Sequence, residues 1–181
     1  MRLPLRLHPD SLSVAATHID VDVARSHAGS LVLYYFVTGK IEGLRLPPLA
    51  PPVRAKELWQ RTCFEAFVRC EASDIYYEFN FAPSTQWAAY QFDGYRRGMR
   101  EASSVSAPTI AVKTSSALLR LQASLEVGQL ADLPRDGRWR LGLSALIEET
   151  SGHTSYWALT HQPGKPDFHH PDCFAHEFSP T

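Results

Sequence analysis

Apolar residues return at every second position through most of this chain. Extended strands alternate their side chains between two faces and satisfy that spacing, whereas a helix needs a repeat near 3.6. Ile19, Val21 and Val23 alternate with His18, Asp20 and Asp22, and Leu119, Leu121, Ala123, Leu125 and Val127 alternate with Arg120, Gln122, Ser124 and Glu126. Trp139, Leu141, Leu143, Ala145 and Ile147 repeat the pattern after Pro134-Arg135-Asp136-Gly137, a turn sequence that predicts a hairpin. These are half-buried antiparallel strands, and the fold they predict is all-β.

Leu31-Val32-Leu33-Tyr34-Tyr35-Phe36-Val37 is apolar without a break, which predicts a strand near the middle of a sheet with both faces covered. The stretch from Leu46 to Pro52 carries four prolines, cannot supply ladder donors there, and reads as an extended surface connection. Strand signals continue on both sides of it, with no internal repeat. One domain over residues 1–181, an antiparallel two-sheet β-sandwich, accommodates them all. A chain of 181 residues with 44% hydrophobic and 20% charged side chains has enough apolar material for such a core.

The charges nearly cancel, 18 basic against 19 acidic, so no net field draws the molecule to nucleic acid or anionic lipid. No stretch approaches the ~20 apolar residues of a membrane span, and Arg6 and His8 interrupt the N-terminal apolar residues before a signal-peptide core develops. The expectation is a cytoplasmic protein. Three cysteines, Cys63, Cys70 and Cys173, lack paired metal or redox spacing and read as free thiols. His161, His169, His170, Asp172, Cys173 and His176 gather late in the chain. They match no zinc spacing, and no metal site is expected.

Residues 59 to 95 are the most informative. Phe64, Ala66 and Val68 alternate with Glu65 and Phe67; Ile75, Tyr77, Phe79 and Phe81 alternate with Tyr76, Glu78 and Asn80; Ala88, Tyr90 and Phe92 alternate with Trp87, Ala89 and Gln91. Three strands in a meander would put the first set of each on the core and gather Glu65, Phe67, Tyr76, Glu78, Asn80, Trp87 and Gln91 on the opposite face. Planar rings beside carboxylates and amides suit a neutral polyhydroxylated ligand. The alternatives are a solvated sheet face, a partner-docking aromatic surface, and a glycosidase using Glu65 and Glu78. Binding without catalysis is the favoured reading.

The segments Trp59-Gln60-Arg61-Thr62-Cys63-Phe64-Glu65-Ala66-Phe67, Tyr76-Tyr77-Glu78-Phe79-Asn80-Phe81-Ala82-Pro83 and Trp87-Ala88-Ala89-Tyr90 resemble the DOMON-like superfamily, in the branch similar to family 9 carbohydrate-binding modules. With Trp157-Ala158-Leu159 and Gly164 to Pro171, the chain looks closest to stand-alone bacterial DOMON-like proteins. The resemblance implies a β-sandwich whose concave sheet face binds a small ligand, a sugar in the modules and haem or a related group in other branches, with no catalysis. Trp59 and Glu65 match a tryptophan and glutamate six apart that contribute to the sugar site. Glu78 and Asn80 occupy the places of a polar pair on the next strand, the first of which is basic in the modules and acidic here. Trp157 or Phe168 would stand in for a second, late tryptophan.

The loop from Lys165 to Asp172 is rich in functional groups and fixed by two prolines. Lys165, Asp167 and His169 would wall the site at one end. Haem in related domains is held by a methionine and a histidine, and Met99, after Tyr95-Arg96-Arg97-Gly98, is the internal methionine; the basic loop reads more simply as a solvated connection. The expected ligand contacts are therefore Trp59, Glu65, Glu78, Asn80, Trp87, Gln91, Trp157, Lys165, Asp167 and His169, for a saccharide, with no cofactor required.

Overall fold

The computed structural model describes residues 1–25 and 29–178. Nearly all of its regular structure is antiparallel strand: β1 (Arg2–Leu7), β2 (Ala16–Arg25), β3 (Ser30–Gly39), β4 (Cys63–Cys70), β5 (Tyr76–Phe81), β6 (Trp87–Phe92), β7 (Arg100–Glu101), β8 (Thr109–Thr114), β9 (Leu118–Glu126), β10 (Trp139–Glu148), β11 (Thr154–Ala158) and β12 (His176–Phe178). Helix is confined to short 3-10 turns, among them Leu58–Gln60 and Pro171–Cys173. No helix among the described residues is long and apolar enough to cross a membrane.

The strands form one hydrogen-bonded path, β7-β6-β5-β4-β10-β11-β1-β2-β3-β9-β8, with β12 added beside β10. Two separate sheets were expected from the sequence. Instead β1 serves both halves of one curled sheet: Arg2 to Leu5 pair with β2, while Arg6 and Leu7 pair with β11. The predicted hairpin is also different. Gly137 N–H donates to Pro134 at 3.0 Å, so the turn forms. Yet β9 pairs with β3 and β8, and β10 with β4, β11 and β12. Leu130 and Leu133 are buried between them, and this apolar anchor makes the segment a crossing from one half to the other.

One continuous core fills the space between the halves. Ile19, Val21, Leu33, Tyr35, Leu121 and Ala123 from one half meet Phe64, Ala66, Phe79, Phe81, Leu143 and Trp157 from the other. The Tyr35 ring lies 5.0 Å from that of Phe64, and its hydroxyl donates to the Glu65 carbonyl at 2.6 Å. That bond satisfies a buried phenol and fixes β4 against the opposite half. In β3 the inward Leu31, Leu33, Tyr35 and Val37 are fully buried, whereas outward Val32, Tyr34 and Phe36 are half-buried. The run is central, between β2 and β9, but only one of its faces is sealed. Residues 46–52 form no strand, in keeping with the proline-rich connection expected.

The strands β4, β5, β6 and β10 differ from the rest because nearly every residue in them is buried. Two apolar layers must therefore cover them. The inner one is the shared core; the outer one positions the site.

Candidate functional site

Register decides which side chains share the outer face. Glu65 lies opposite Asn80, Phe67 opposite Glu78, Glu78 opposite Tyr90 and Tyr76 opposite Phe92. Across β10, Ser144 lies opposite Glu65, and Leu146 opposite both Cys63 and, on β11, Tyr156. Residues paired across an antiparallel ladder point to the same side. The floor is thus a band of acids, amide and rings across five strands.

A roof covers much of that floor. Phe67, Tyr76, Ala88, Tyr90, Phe92 and Phe174 form a second apolar cluster, with Leu58, Trp59 and Phe168 against it. Tyr76 stacks on Phe92 with centroids 4.6 Å apart and planes within 4°, and His169 meets Phe67 and Phe92 edge-on, each at 5.1 Å. The terminal segment lies directly on β10 at Gly142, where an added Cβ would come within 3.0 Å of the Cys173 carbonyl oxygen. Polar ties hold the roof: Asp167 accepts from Arg96 at 2.8 and 3.2 Å, from the Tyr95 hydroxyl, and from its own loop at His169 N–H, 3.1 Å.

Between floor and roof a cleft of about 420 Å³ remains, lined by Trp59, Glu65, Glu78, Phe92, Arg96, Met99, Leu146, Tyr156, Pro166, Phe168 and His169. That volume falls in the range of small-ligand sites. Glu65 is 4% exposed and Glu78 5%. Burial is the main cause that raises the proton affinity of both; the Glu78 charge adds to the effect on Glu65, while hydrogen bonds from Ser144 Oγ to Glu65 (2.9 Å) and from Asn80 Nδ2 to Glu78 (2.7 Å) oppose it. Cys63, fully buried and pushed up by burial, stays a thiol and donates to Asn80 Oδ1 at 3.5 Å.

His169 is neutral, since burial and then the Arg96 charge lower it to about 4. Its Nδ1 lies 2.8 Å from the Tyr76 hydroxyl, which accepts from Arg96 N–H at 3.3 Å. The other ring nitrogen, Nε2, faces Glu78 Oε2 at 3.8 Å. Met99 and His169 line the same cleft. Among the described residues no group of three or more His, Cys, Asp or Glu is gathered to hold a metal.

Of the residues singled out from sequence, Trp59, Glu65, Glu78 and His169 converge on the cleft. Asn80 and Asp167 stand one step behind it: Asn80 is wholly buried and holds Glu78, and Asp167 ties the roof. Lys165 is exposed and lines no part of the cleft. Trp87, Gln91 and Trp157 were expected on the ligand face, and the structure corrects all three. Trp87 pairs with Phe81 and joins the inner core. Gln91, opposite Tyr77, turns with it to Asp132, to which they donate at 2.8 and 2.7 Å. Trp157 lies in the inner core, its indole N–H given to Ser155 Oγ at 3.0 Å. On β6 both faces are buried, so hydrophobicity does not tell them apart; on β11 the buried Trp157 alternates with the half-buried Tyr156. Their neighbours Phe92 and Tyr156 take the cleft instead.

No protein-family model matches the chain, and no curated protein matches it. Among solved structures, a "putative carbohydrate-binding protein" from Bacteroides uniformis ATCC 8492 is similar, with a TM-score of 0.65 and 15% identity over 94% of this chain and 82% of that one. A family 9 carbohydrate-binding module from Caldicellulosiruptor kristjanssonii, in complex with glucose, aligns with a TM-score of 0.47 and 10% identity over 88% of this chain and 76% of that one. The first likeness extends over nearly the whole of this chain and shows that the two proteins share a fold.

Proposed function

We propose that this protein is a non-catalytic binding domain for a small polyhydroxylated ligand, a mono- or disaccharide, held in the roofed cleft. One observation carries the reading: Trp59, Tyr156 and Phe168 line the same cavity as two buried carboxyl groups, Glu65 and Glu78. Rings of this kind stack on the apolar face of a sugar, and carboxyl oxygens held by Ser144 and Asn80 are preorganised partners for hydroxyls. The Bacteroides uniformis structure, carbohydrate-binding by its own description, supports the reading, as does the DOMON-like resemblance, with the two halves of the sheet acting as the leaves of a sandwich.

Glu65 and Glu78 project from neighbouring strands on one face, and an assay of glycoside turnover separates binding from hydrolysis by that pair. Partner docking through the aromatic face is disfavoured because Phe67, Tyr76 and Phe92 are spent on the roof. Calorimetric titration with a panel of mono- and disaccharides tests the proposal. Saturable binding that is lost in Trp59→Ala supports it, and no binding across the panel refutes it.

A further inference from the structure

Neither acid of the cleft is hydrogen-bonded to a base among the described residues. Arg96, the single guanidinium in the lining, is bound at Nη2 and Nε to Asp167, so that pair is neutral in itself. His169 carries no charge at neutral pH. Two carboxyl groups are left, each more than nine-tenths buried. Glu65 Oε2 accepts from Ser144, and Glu65 Oε1 has no hydrogen-bond partner among the described residues; Glu78 Oε1 accepts from Asn80, and Oε2 faces His169 Nε2 at 3.8 Å, beyond hydrogen-bond reach. One acceptor on each acid is therefore free to meet a ligand.

Two adjacent carboxyl groups this deeply buried hold on to protons unless a cation joins them. Neutral hydroxyls leave those protons in place. An ammonium group supplies three N–H donors and a positive charge, and Trp59, Phe92, Tyr156 and Phe168 in the lining offer ring faces that also favour a cation. We infer that the ligand is an amino sugar, whose protonated amine sits between Glu65 and Glu78 while its ring lies among the aromatic side chains. This rests on the sugar-binding reading above and narrows it to a cationic class.

Proton bookkeeping gives the inference a second signature. The other titratable or charged groups around the pair are Tyr35, Cys63, Tyr76, Tyr90, Arg96 and His169. Burial keeps the phenols and thiol protonated, Arg96 keeps its charge, and His169 stays neutral. The carboxyl pair is then the group that changes: an arriving ammonium drives both acids to the ionised form, and any proton they held leaves to buffer.

The test titrates the full chain at neutral pH with glucosamine and with glucose, which differ at one position by an ammonium in place of a hydroxyl, in two buffers of different ionisation enthalpy. Glucosamine is expected to bind roughly 10- to 100-fold more tightly and to release protons, and glucose to release none. Glu65→Gln and Glu78→Gln should each erase most of that preference together with the proton release. These variants relieve a burial penalty and keep the shape, and a thermal melt verifies their folding. Equal or tighter binding of glucose would overturn the amine assignment and leave the sugar-binding reading standing. Absence of binding by either sugar, and by the wider saccharide panel, would overturn both.

Discussion

The Tyr76 hydroxyl and His169 Nδ1 are 2.8 Å apart, and this one hydrogen bond joins the floor of the cleft to its roof. Tyr76 belongs to β5, packed between Phe92 and Phe174; His169 belongs to the loop that closes the site. Tyr76→Phe keeps the ring and deletes the bond, leaving Nδ1 without that partner. The expected cost is about 1–3 kcal/mol in urea denaturation. Faster amide exchange across residues 166–174 and weaker ligand binding should accompany it, since a loosened roof no longer holds Phe168 and His169 in place. Unchanged exchange in that segment would show that the apolar contacts alone close the roof.

The buried acids set a pH dependence with a definite sign. Glu65 and Glu78 hold their protons in the folded protein above the ordinary value near 4.5. Their contribution to stability is complete below that value and declines as pH rises through the folded values, because the unfolded chain ionises first. His169 acts oppositely: lowered to about 4 from 6.5, it costs stability as pH falls between those limits. The two trends overlap in the wild type, so the difference from a Glu65→Gln, Glu78→Gln double variant is the informative quantity. Relative to wild type the variant should gain stability steadily as pH rises, reaching at least about 2 kcal/mol by the alkaline end. A pH-independent difference would mean that the pair is ionised in the fold at no cost.

Much of the architecture was legible because the signal is physical. Where one face of a strand meets core and the other meets water, as in β2 and β9, the alternation of Ile19, Val21 and Val23 or of Leu119, Leu121 and Ala123 gives strand and face together. The same logic failed on β6 and β11. Tyr90 and Phe92 look like core residues, and they are buried, but in the outer cluster under the roof. Counting across the connection would have recovered the parity: Phe81 pairs with Trp87, so a core-facing Phe81 requires a core-facing Trp87. Roof residues such as Arg96, Met99 and Phe168 carry no periodic signal, since loops place side chains by contacts distant in sequence. β1, shared between the two halves, was hidden for the same reason, as register between distant segments is not written in either one.

Asn80 should behave as a positioning residue. It is fully buried, lines no part of the cleft, and spends its amide on Glu78 Oε1 at 2.7 Å and its carbonyl on the Cys63 thiol. Asn80→Ala removes the donor that opposes protonation of Glu78, so the acid should hold its proton to higher pH and lose its fixed orientation. Ligand affinity is expected to fall roughly 10-fold, with a stability loss of about 1–3 kcal/mol. Infrared titration of the carboxyl band separates this from a cavity effect: an upward shift of one carboxyl is expected, and a packing defect alone would leave the band where it is.

Trp59 and Trp87 give the sharpest contrast, because they are drawn from the same short stretch of sequence and stand on opposite sides of one sheet. Trp59 is half-buried at the cleft, in edge contact with Tyr90 at 5.8 Å; Trp87 is 5% exposed in the inner core, with the Arg54 guanidinium 4.2 Å over its ring. Trp59→Ala should weaken ligand binding by roughly 10- to 100-fold at a stability cost under about 1.5 kcal/mol, since little core packing is lost. Trp87→Ala opens a cavity between the halves and should cost about 3–5 kcal/mol, while the fraction that remains folded binds ligand with nearly native affinity. Paired melting and titration of the two variants distinguish the faces. If Trp87→Ala abolished binding in protein shown to be folded and Trp59→Ala did not, the ligand would sit on the face opposite to the cleft, and the assignment of floor and core would have to be exchanged.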